Sequence, residues 1–295
     1  MKLAAIDIGS NAARLLITDV RVIKKNRPEF IKSNLIRVPL RLGFDVFESG
    51  AISPQKEIHV ISTMKAYRYL LDVYEVAHVK ACATSAMRDA RNGQQIIQQI
   101  KAETGLEIEI ISGDREAALI YESHVAENLT AGGAYLYIDV GGGSTELTCF
   151  IDGAMTFKRS FNIGTIRLLK QQVDEPQWEE MKTYIRSNTK NIKNISGIGS
   201  GGNINKVFSL SKRKEGRPLS LDLLRDYYKE FNSMTLSERM SYYKLREDRA
   251  DVIVPALLIY INVLKWAGAE EILVPKIGLA DGLIQSLYAD ISQEL

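Results

Sequence analysis

The chain is poor in the residues that staple or metallate small folds. Its two cysteines, Cys82 and Cys149, stand in separate short apolar runs, and no Cys-x-x-Cys spacing occurs. A disulfide framework and a redox pair are both excluded, and the two thiols read as buried and reduced. The three histidines, His59, His78 and His124, are isolated from one another and from cysteine, which argues against zinc. No uncharged apolar stretch reaches the roughly 18 residues that cross a bilayer. Asp7 interrupts the first apolar run, unlike a secretory leader. The setting expected from these absences is the cytoplasm, with no membrane partner. An excess of one charge is missing too: 38 Lys+Arg stand against 36 Asp+Glu, a net charge of +2. That excludes a pervasive basic field of the kind that coats nucleic-acid scaffolds, and no nucleic-acid partner is expected. A polyanionic ligand would have to be held by local geometry.

What is present is an ordinary globular composition of 45% apolar and 25% charged residues over 295 positions, a length suited to roughly two domains. Strands are expected at 3–8, 13–20, 30–38, 79–83 and 108–111. Ser53-Pro54 reads as an N-cap followed by proline at the first helical position, opening a helix to about Val73. Further helices are expected over 93–104 and from about Arg115 to Glu127. The turn-rich segment from Asn128 to Gly133 marks the boundary, dividing the chain into 1–128 and 129–295. Beyond it strands are expected at 135–140, 145–151, 155–161, 195–198 and 271–274. Helices follow over 176–191, 203–211, 219–232, 248–267 and 279–292. Pro255 falls inside the 248–267 helix as a kink, and the last helix has the option of packing back on the first domain. Strands and helices mixed throughout indicate an α/β fold.

An internal repeat sharpens this. Ile6-Asp7-Ile8-Gly9 and Ile138-Asp139-Val140-Gly141 align at an offset of 132 residues, each a strand ending in Asp and opening into a glycine turn before another strand. Two such halves facing each other would form a cleft with both turns directed into it. A glycine turn presents successive N–H groups with no Cβ in the way, forming an anion nest. Ser10 and Asn11 add donors at the first turn, and Gly141-Gly142-Gly143-Ser144-Thr145 offers more at the second. Two turns, each preceded by an acid, suit a paired phosphate grip with a divalent ion.

Asp7-Ile8-Gly9-Ser10-Asn11 with Arg14, and Asp139-Val140-Gly141-Gly142-Gly143-Ser144-Thr145-Glu146-Leu147, resemble the two phosphate motifs of the exopolyphosphatase/guanosine pentaphosphate phosphatase family. The stretches Ala83–Asn92, Ser112–Ala117 and Gly199–Asn203 are similar to further family segments in the same order. The resemblance spans essentially the whole chain. It implies two ribonuclease H-like domains of the actin, hexokinase and Hsp70 ATPase type with an interdomain cleft. The family's catalytic glutamate falls on Glu116, to orient and deprotonate an attacking water. Asp139 and Glu146 match its acids near the metal, with Asp7 doing the same from the other domain, and Mg²⁺ is the implied ion, with Mn²⁺ as a substitute. Arg88 is placed to fork phosphate oxygens. Arg14 is open between phosphate contact and pairing with an acid. Gly9, Gly141–Gly143 and Gly201 are expected to line the phosphates.

Some positions depart from the family pattern: Arg115, Ala12, and Gly278-Leu279-Ala280-Asp281-Gly282 in place of Gly-x-Arg-Glu-Gly. The chain ends without the helical C-terminal domains of longer members. The cluster Lys206, Lys212, Arg213, Lys214 and Arg217 is either a solvated loop or a grip on distal phosphates. The implied substrate is inorganic polyphosphate or pppGpp, with polyphosphate favoured. An actin-fold ATP-dependent sugar or small-molecule kinase and a nucleotide-sensing protein without turnover are the alternatives, and the sequence leaves room for a homodimer.

Overall fold

A computed structural model describes residues 1–23, 27–122, 133–275 and 278–294. The chain divides into two compact units, Met1–Ser123 with Gly278–Leu295, and His124–Ile277. The expected boundary at 128/129 lies outside the described residues. The final helix belongs to the first unit.

In the first unit β1 (Lys2–Ile8), β2 (Ala13–Ile23) and β3 (Arg27–Val38) form an antiparallel meander. β4 (His78–Ala83) and β5 (Ile108–Ile110) extend it in parallel, giving the order β3-β2-β1-β4-β5. Leu3, Ile6 and Ile8 of the central strand are buried, as a strand covered on both faces must be. Between β3 and β4 lie α1 (Leu42–Ser49) and α2 (Pro54–Val73). α3 (Ser85–Asp89) and α4 (Gly93–Thr104) separate β4 from β5, and α5 (Gly113–Glu122) follows. Ser53 caps α2 as expected, its hydroxyl accepting from Lys56 N–H.

In the second unit β6 (Ala134–Val140), β7 (Thr145–Ile151) and β8 (Ala154–Phe161) repeat the meander. After α6 (Thr165–Leu169) and α7 (Glu175–Thr189), β9 (Ile195–Ser200) joins β6 in parallel. α8 (Gly202–Leu210), β10 (Leu219–Ser220), α9 (Leu221–Ser233), α10 (Leu236–Tyr243), α11 (Glu247–Ala250), α12 (Ile253–Ala267) and β11 (Glu271–Leu273) complete it. The sheet order is β10-β11-β9-β6-β7-β8. Apart from the short edge strand β10, this matches the first sheet strand for strand, so the sequence repeat is a repeat of topology. These are two ribonuclease H-like domains.

Two expectations are corrected. The helix drawn over 248–267 is two helices, α11 and α12, and Pro255 stands in the first turn of α12. Proline has no N–H to offer a carbonyl four residues back, so the helix restarts where that N–H is not needed. Glu247–Ala267 is long and apolar enough to cross a membrane, yet 61% of its most apolar stretch is buried inside the protein. Ile253, Ile259, Val263 and Leu264 lie in the core of the second unit, and α12 is a core helix. The short helices α1, α3, α6 and α10 had no forecast in the sequence.

The final helix, α13 (Leu279–Glu294), packs on β1, β2, β4 and α5 within the first unit. Lys32 pairs with Asp281 at 2.7 Å, Lys80 with Asp290 at 2.7 Å, and the rings of Phe30 and Tyr288 meet edge to face at 5.5 Å. Asp281 also accepts from Gly278 N–H at 2.9 Å. Of the departures from the family pattern, Asp281 therefore holds α13 in place and Ala280 is buried there.

Candidate active site

The two sheets place their chemistry in matching rows. In the second unit, register aligns Ser160 of β8, Glu146 of β7, Asp139 of β6 and Ser200 of β9 in one line across four strands. Carboxylate oxygens of Asp139 and Glu146 lie within 4.8 Å of one another. Glu146 is 3% exposed, and the Ser160 hydroxyl donates to its Oε1 at 2.9 Å. Two carboxylates brought together by strand register, one of them buried, form a hard-oxygen donor set that suits a divalent cation. The glycine turn beside them is closed by Gly141 N–H donating to the Ser144 carbonyl at 2.9 Å. Its outer carbonyls accept from the start of α6, Thr165 N–H to Gly141 at 3.0 Å and Ile166 N–H to Gly142 at 2.9 Å, and Arg167 Nε reaches Gly143 at 2.8 Å. Gly164 lies so close that a Cβ there would overlap the Gly142 carbonyl. Thr145, expected to contact phosphate, is corrected: it is fully buried and its hydroxyl donates to Ile163 at 2.6 Å. That side chain fastens β7.

In the first unit the same row reads Arg37, Arg14, Asp7, Cys82, Glu109 from β3 to β5. Gly9 N–H closes its turn on the Ala12 carbonyl at 3.0 Å, the counterpart of the Gly141–Ser144 bond 132 residues on. Asn11 and Ser10 carbonyls accept from Arg41 and Gly43 at 2.9 and 2.8 Å, and the Ser10 and Ser85 hydroxyls are 2.7 Å apart. Where the second unit pairs an acid with an acid, the first pairs Asp7 with Arg14 at 2.5 Å. The open question over Arg14 resolves toward an acid partner, and Asp7, expected among the metal acids, is held by a cation. Beneath this row burial raises the Tyr67 hydroxyl pKa, with the Asp7 charge adding to the effect. Its O–H lies 3.1 Å from the Ala13 carbonyl. Burial likewise pushes the Cys82 thiol well up, reinforced by the charges of Asp7, Glu116 and Glu109, so Cys82 is inert as a nucleophile.

Glu116 stands in the first turn of α5, half-buried, in an N-terminus capped by Ser112, whose Oγ accepts from Arg115 N–H at 3.2 Å. The Arg115 departure is exposed and leaves this cap intact. Arg88 donates from Nη1 to the Ile111 carbonyl at 3.0 Å, tying α3 to the segment that leads into α5 and Glu116.

The third glycine turn closes on the acid row of the second unit. Gly201 has φ +110, which side-chain-bearing residues rarely adopt. A Cβ on it would stand 3.4 Å from Asp139 Oδ1 and 3.3 Å from the Val140 carbonyl. Tyr260 of α12, buried, donates its hydroxyl to the Ser200 carbonyl. Burial, and secondarily the Asp139 charge, holds that phenol well above its ordinary pKa. Arg249 donates to the Gly202 carbonyl at 2.6 Å. Lys212, Arg213 and Lys214 lie beyond the far end of α8. Nine residues of helix, about 14 Å of rise, separate them from the Gly201 turn, so they cannot share a phosphate with it. Sequence reasoning missed Arg37, Ser160, Arg167, Ser200, Arg249 and Tyr260. Only Tyr260 carried a signal, a hydroxyl within an apolar helix that needs a partner.

Residues 24–290 match the profile of the Ppx/GppA phosphatase family. The bifunctional 3-dehydroquinate synthase/phosphatase of Fusobacterium nucleatum subsp. nucleatum is 27% identical over 300 residues, covering 92% of this chain, which spans 44% of that protein's length. Exopolyphosphatase 2 of Mycobacterium tuberculosis is 26% identical, covering 97% of this chain and 98% of its own. A solved exopolyphosphatase from Cytophaga hutchinsonii superimposes with a TM-score of 0.83 at 28% identity, over 99% of this chain and 98% of that one. The matched span covers most of the chain, and the chain belongs to the Ppx/GppA phosphatase family.

Proposed function

We propose that this Ppx/GppA phosphatase cleaves the terminal phosphoanhydride of inorganic polyphosphate, with the 5′-triphosphate end of pppGpp as a second substrate of the same bond class. The observation that carries the reading is the exchange within matched rows: Asp139 faces Glu146 where Asp7 faces Arg14. One unit offers a pair of acids to a cation, and in the other the corresponding acid is neutralised by Arg14. The full-length likeness to an exopolyphosphatase supports polyphosphate as the first substrate.

Asp139 and Glu146 would hold a divalent ion, Mg²⁺ with Mn²⁺ as a substitute. The ion would neutralise phosphate oxygens and stabilise charge developing on them. The glycine turns at Gly9–Asn11 and Gly141–Ser144 bind phosphate oxygens through backbone amides. Arg88 adds a cation beside the segment that carries Glu116. Glu116 takes the proton from a water as its oxygen bonds to the terminal phosphorus. The bond from phosphorus to the bridging oxygen breaks, and its electron pair leaves on the shortened chain. Lys212, Arg213 and Lys214, a helix length from the Gly201 turn, contact distal phosphates of long substrates. The reduced thiols Cys82 and Cys149 accord with a cytoplasmic setting.

The test is phosphate release measured side by side on polyphosphates of graded length and on pppGpp, with and without Mg²⁺. Release from both, faster from polyphosphate and abolished by chelation, is expected. No release from either at any Mg²⁺ or Mn²⁺ level would overturn the reading.

A further inference from the structure

We propose that Ser200 completes the cation site of Asp139 and Glu146, its hydroxyl hydrogen-bonding the cation's hydration shell. The proposal rests on the metal reading above.

Ser200 closes the row that begins at Ser160, and register sets it directly beside Asp139 on the neighbouring parallel strand. Register partners in adjacent strands carry their side chains on the same face of the sheet, so Ser200 Oγ and the Asp139 carboxylate share the face that holds Glu146. The two hydroxyls at the ends of this row differ. Ser160 is committed to Glu146 Oε1 at 2.9 Å. Ser200 is fully buried and its Oγ has no hydrogen-bond partner. Its own carbonyl is occupied by Tyr260, which fixes the backbone and leaves the side chain as the group without a partner.

Buried hydroxyls are almost always satisfied, and one left unmade in the interior is costly. Thr148, two residues beyond Glu146 on the same face of β7, is 3% exposed and likewise has a hydroxyl without a partner. The unmet Ser200 hydroxyl beside Asp139 points to a polar occupant at the acid pair. A hydrated divalent cation fits, because Mg²⁺ keeps several of its waters. A serine hydroxyl can accept from such a water while donating to a carboxylate. The following residue, Gly201 at φ +110, runs its backbone close to Asp139 Oδ1 in a conformation that side-chain-bearing residues rarely adopt.

The test is Mn²⁺ binding to the full chain without substrate, followed by electron paramagnetic resonance, for wild type, S200A, S200T and D139N. Partners in the outer shell of a metal site typically contribute about tenfold or more to affinity. S200A is expected to raise the Mn²⁺ Kd about tenfold, S200T to restore it, and D139N to abolish binding. Wild-type Mn²⁺ affinity in S200A, with binding lost in D139N, would overturn the role of Ser200 and leave the acid pair standing. Unchanged binding in D139N would overturn the metal reading itself. S200T shows whether any loss in S200A comes from the missing hydroxyl or from a disturbed strand. If S200T binds as weakly as S200A, the hydroxyl is not the contact and the proposal fails.

Discussion

Tyr260 shows how one hydroxyl can govern a site it never enters. Its proton goes to the Ser200 carbonyl, at the end of the strand that flanks Asp139. Tyr260→Phe leaves that buried carbonyl unpaired, and a loss of about 1–3 kcal/mol is expected from chemical denaturation. Sequence reading reached Asp139 and Glu146 through a glycine-turn motif that resembles the family's, a signal carried by consecutive residues. Ser200, Ser160 and Arg37 were not legible in the same way. Ser200 meets Asp139 through the register of strands far apart in the chain, and Ser160 and Arg37 join the row only through the register of a hairpin, which no local pattern encodes. Thr145 was misread for the converse reason. It stands in the motif, but the pleat turns its side chain inward to Ile163.

At the scale of elements, the short helices α1 and α6 serve the glycine turns. Each begins by donating N–H groups to the carbonyls of its turn, so the turn's shape is set by a helix that follows it. Gly164→Ala should therefore displace the Gly142–Gly143 backbone and lower kcat/KM at least about tenfold. A melting curve should show the fold retained, with a loss of about 1–3 kcal/mol, as for overpacking. α1 is anchored in turn by Asp45, which accepts from Ser53 N–H at 3.1 Å and pairs with Lys56 at 2.6 Å. Burial raises the Asp45 pKa, but the bonds from Lys56 and Ser53 outweigh it, and the net value lies below 3.8. Its contribution is thus present above pH 3.8 and lost as pH falls through the folded value. Asp45→Asn should lower the melting temperature at pH 7, and the difference from wild type should vanish as acid protonates the carboxylate. The long helices were legible from their caps, as Ser53-Pro54 shows. α1 and α6 were not, because partners in the preceding turns hold them and helical periodicity does not. Pro255 misled the reading of α12 because a proline that kinks a helix and one that starts a helix look alike in sequence.

At the scale of the molecule, two units of the same winding have diverged in one row of residues. The first carries Arg37, Arg14 and Asp7, the second Ser160, Glu146 and Asp139. The near-neutral net charge of +2 is therefore no obstacle to a polyanionic substrate, since the binding charge is local and divided. The basic run belongs to the same account. Replacing Lys212, Arg213 and Lys214 with alanine should raise KM for long polyphosphate and flatten its dependence on salt, while short chains are unaffected. The central claim is that a carboxylate in the first unit activates water for hydrolysis of a phosphoanhydride. Steady-state kinetics of Glu116→Gln on polyphosphate test it most directly. A fall in kcat of about 10²–10⁴ with KM close to wild type is expected. A raised KM with unchanged kcat would make Glu116 a binding residue and contradict it.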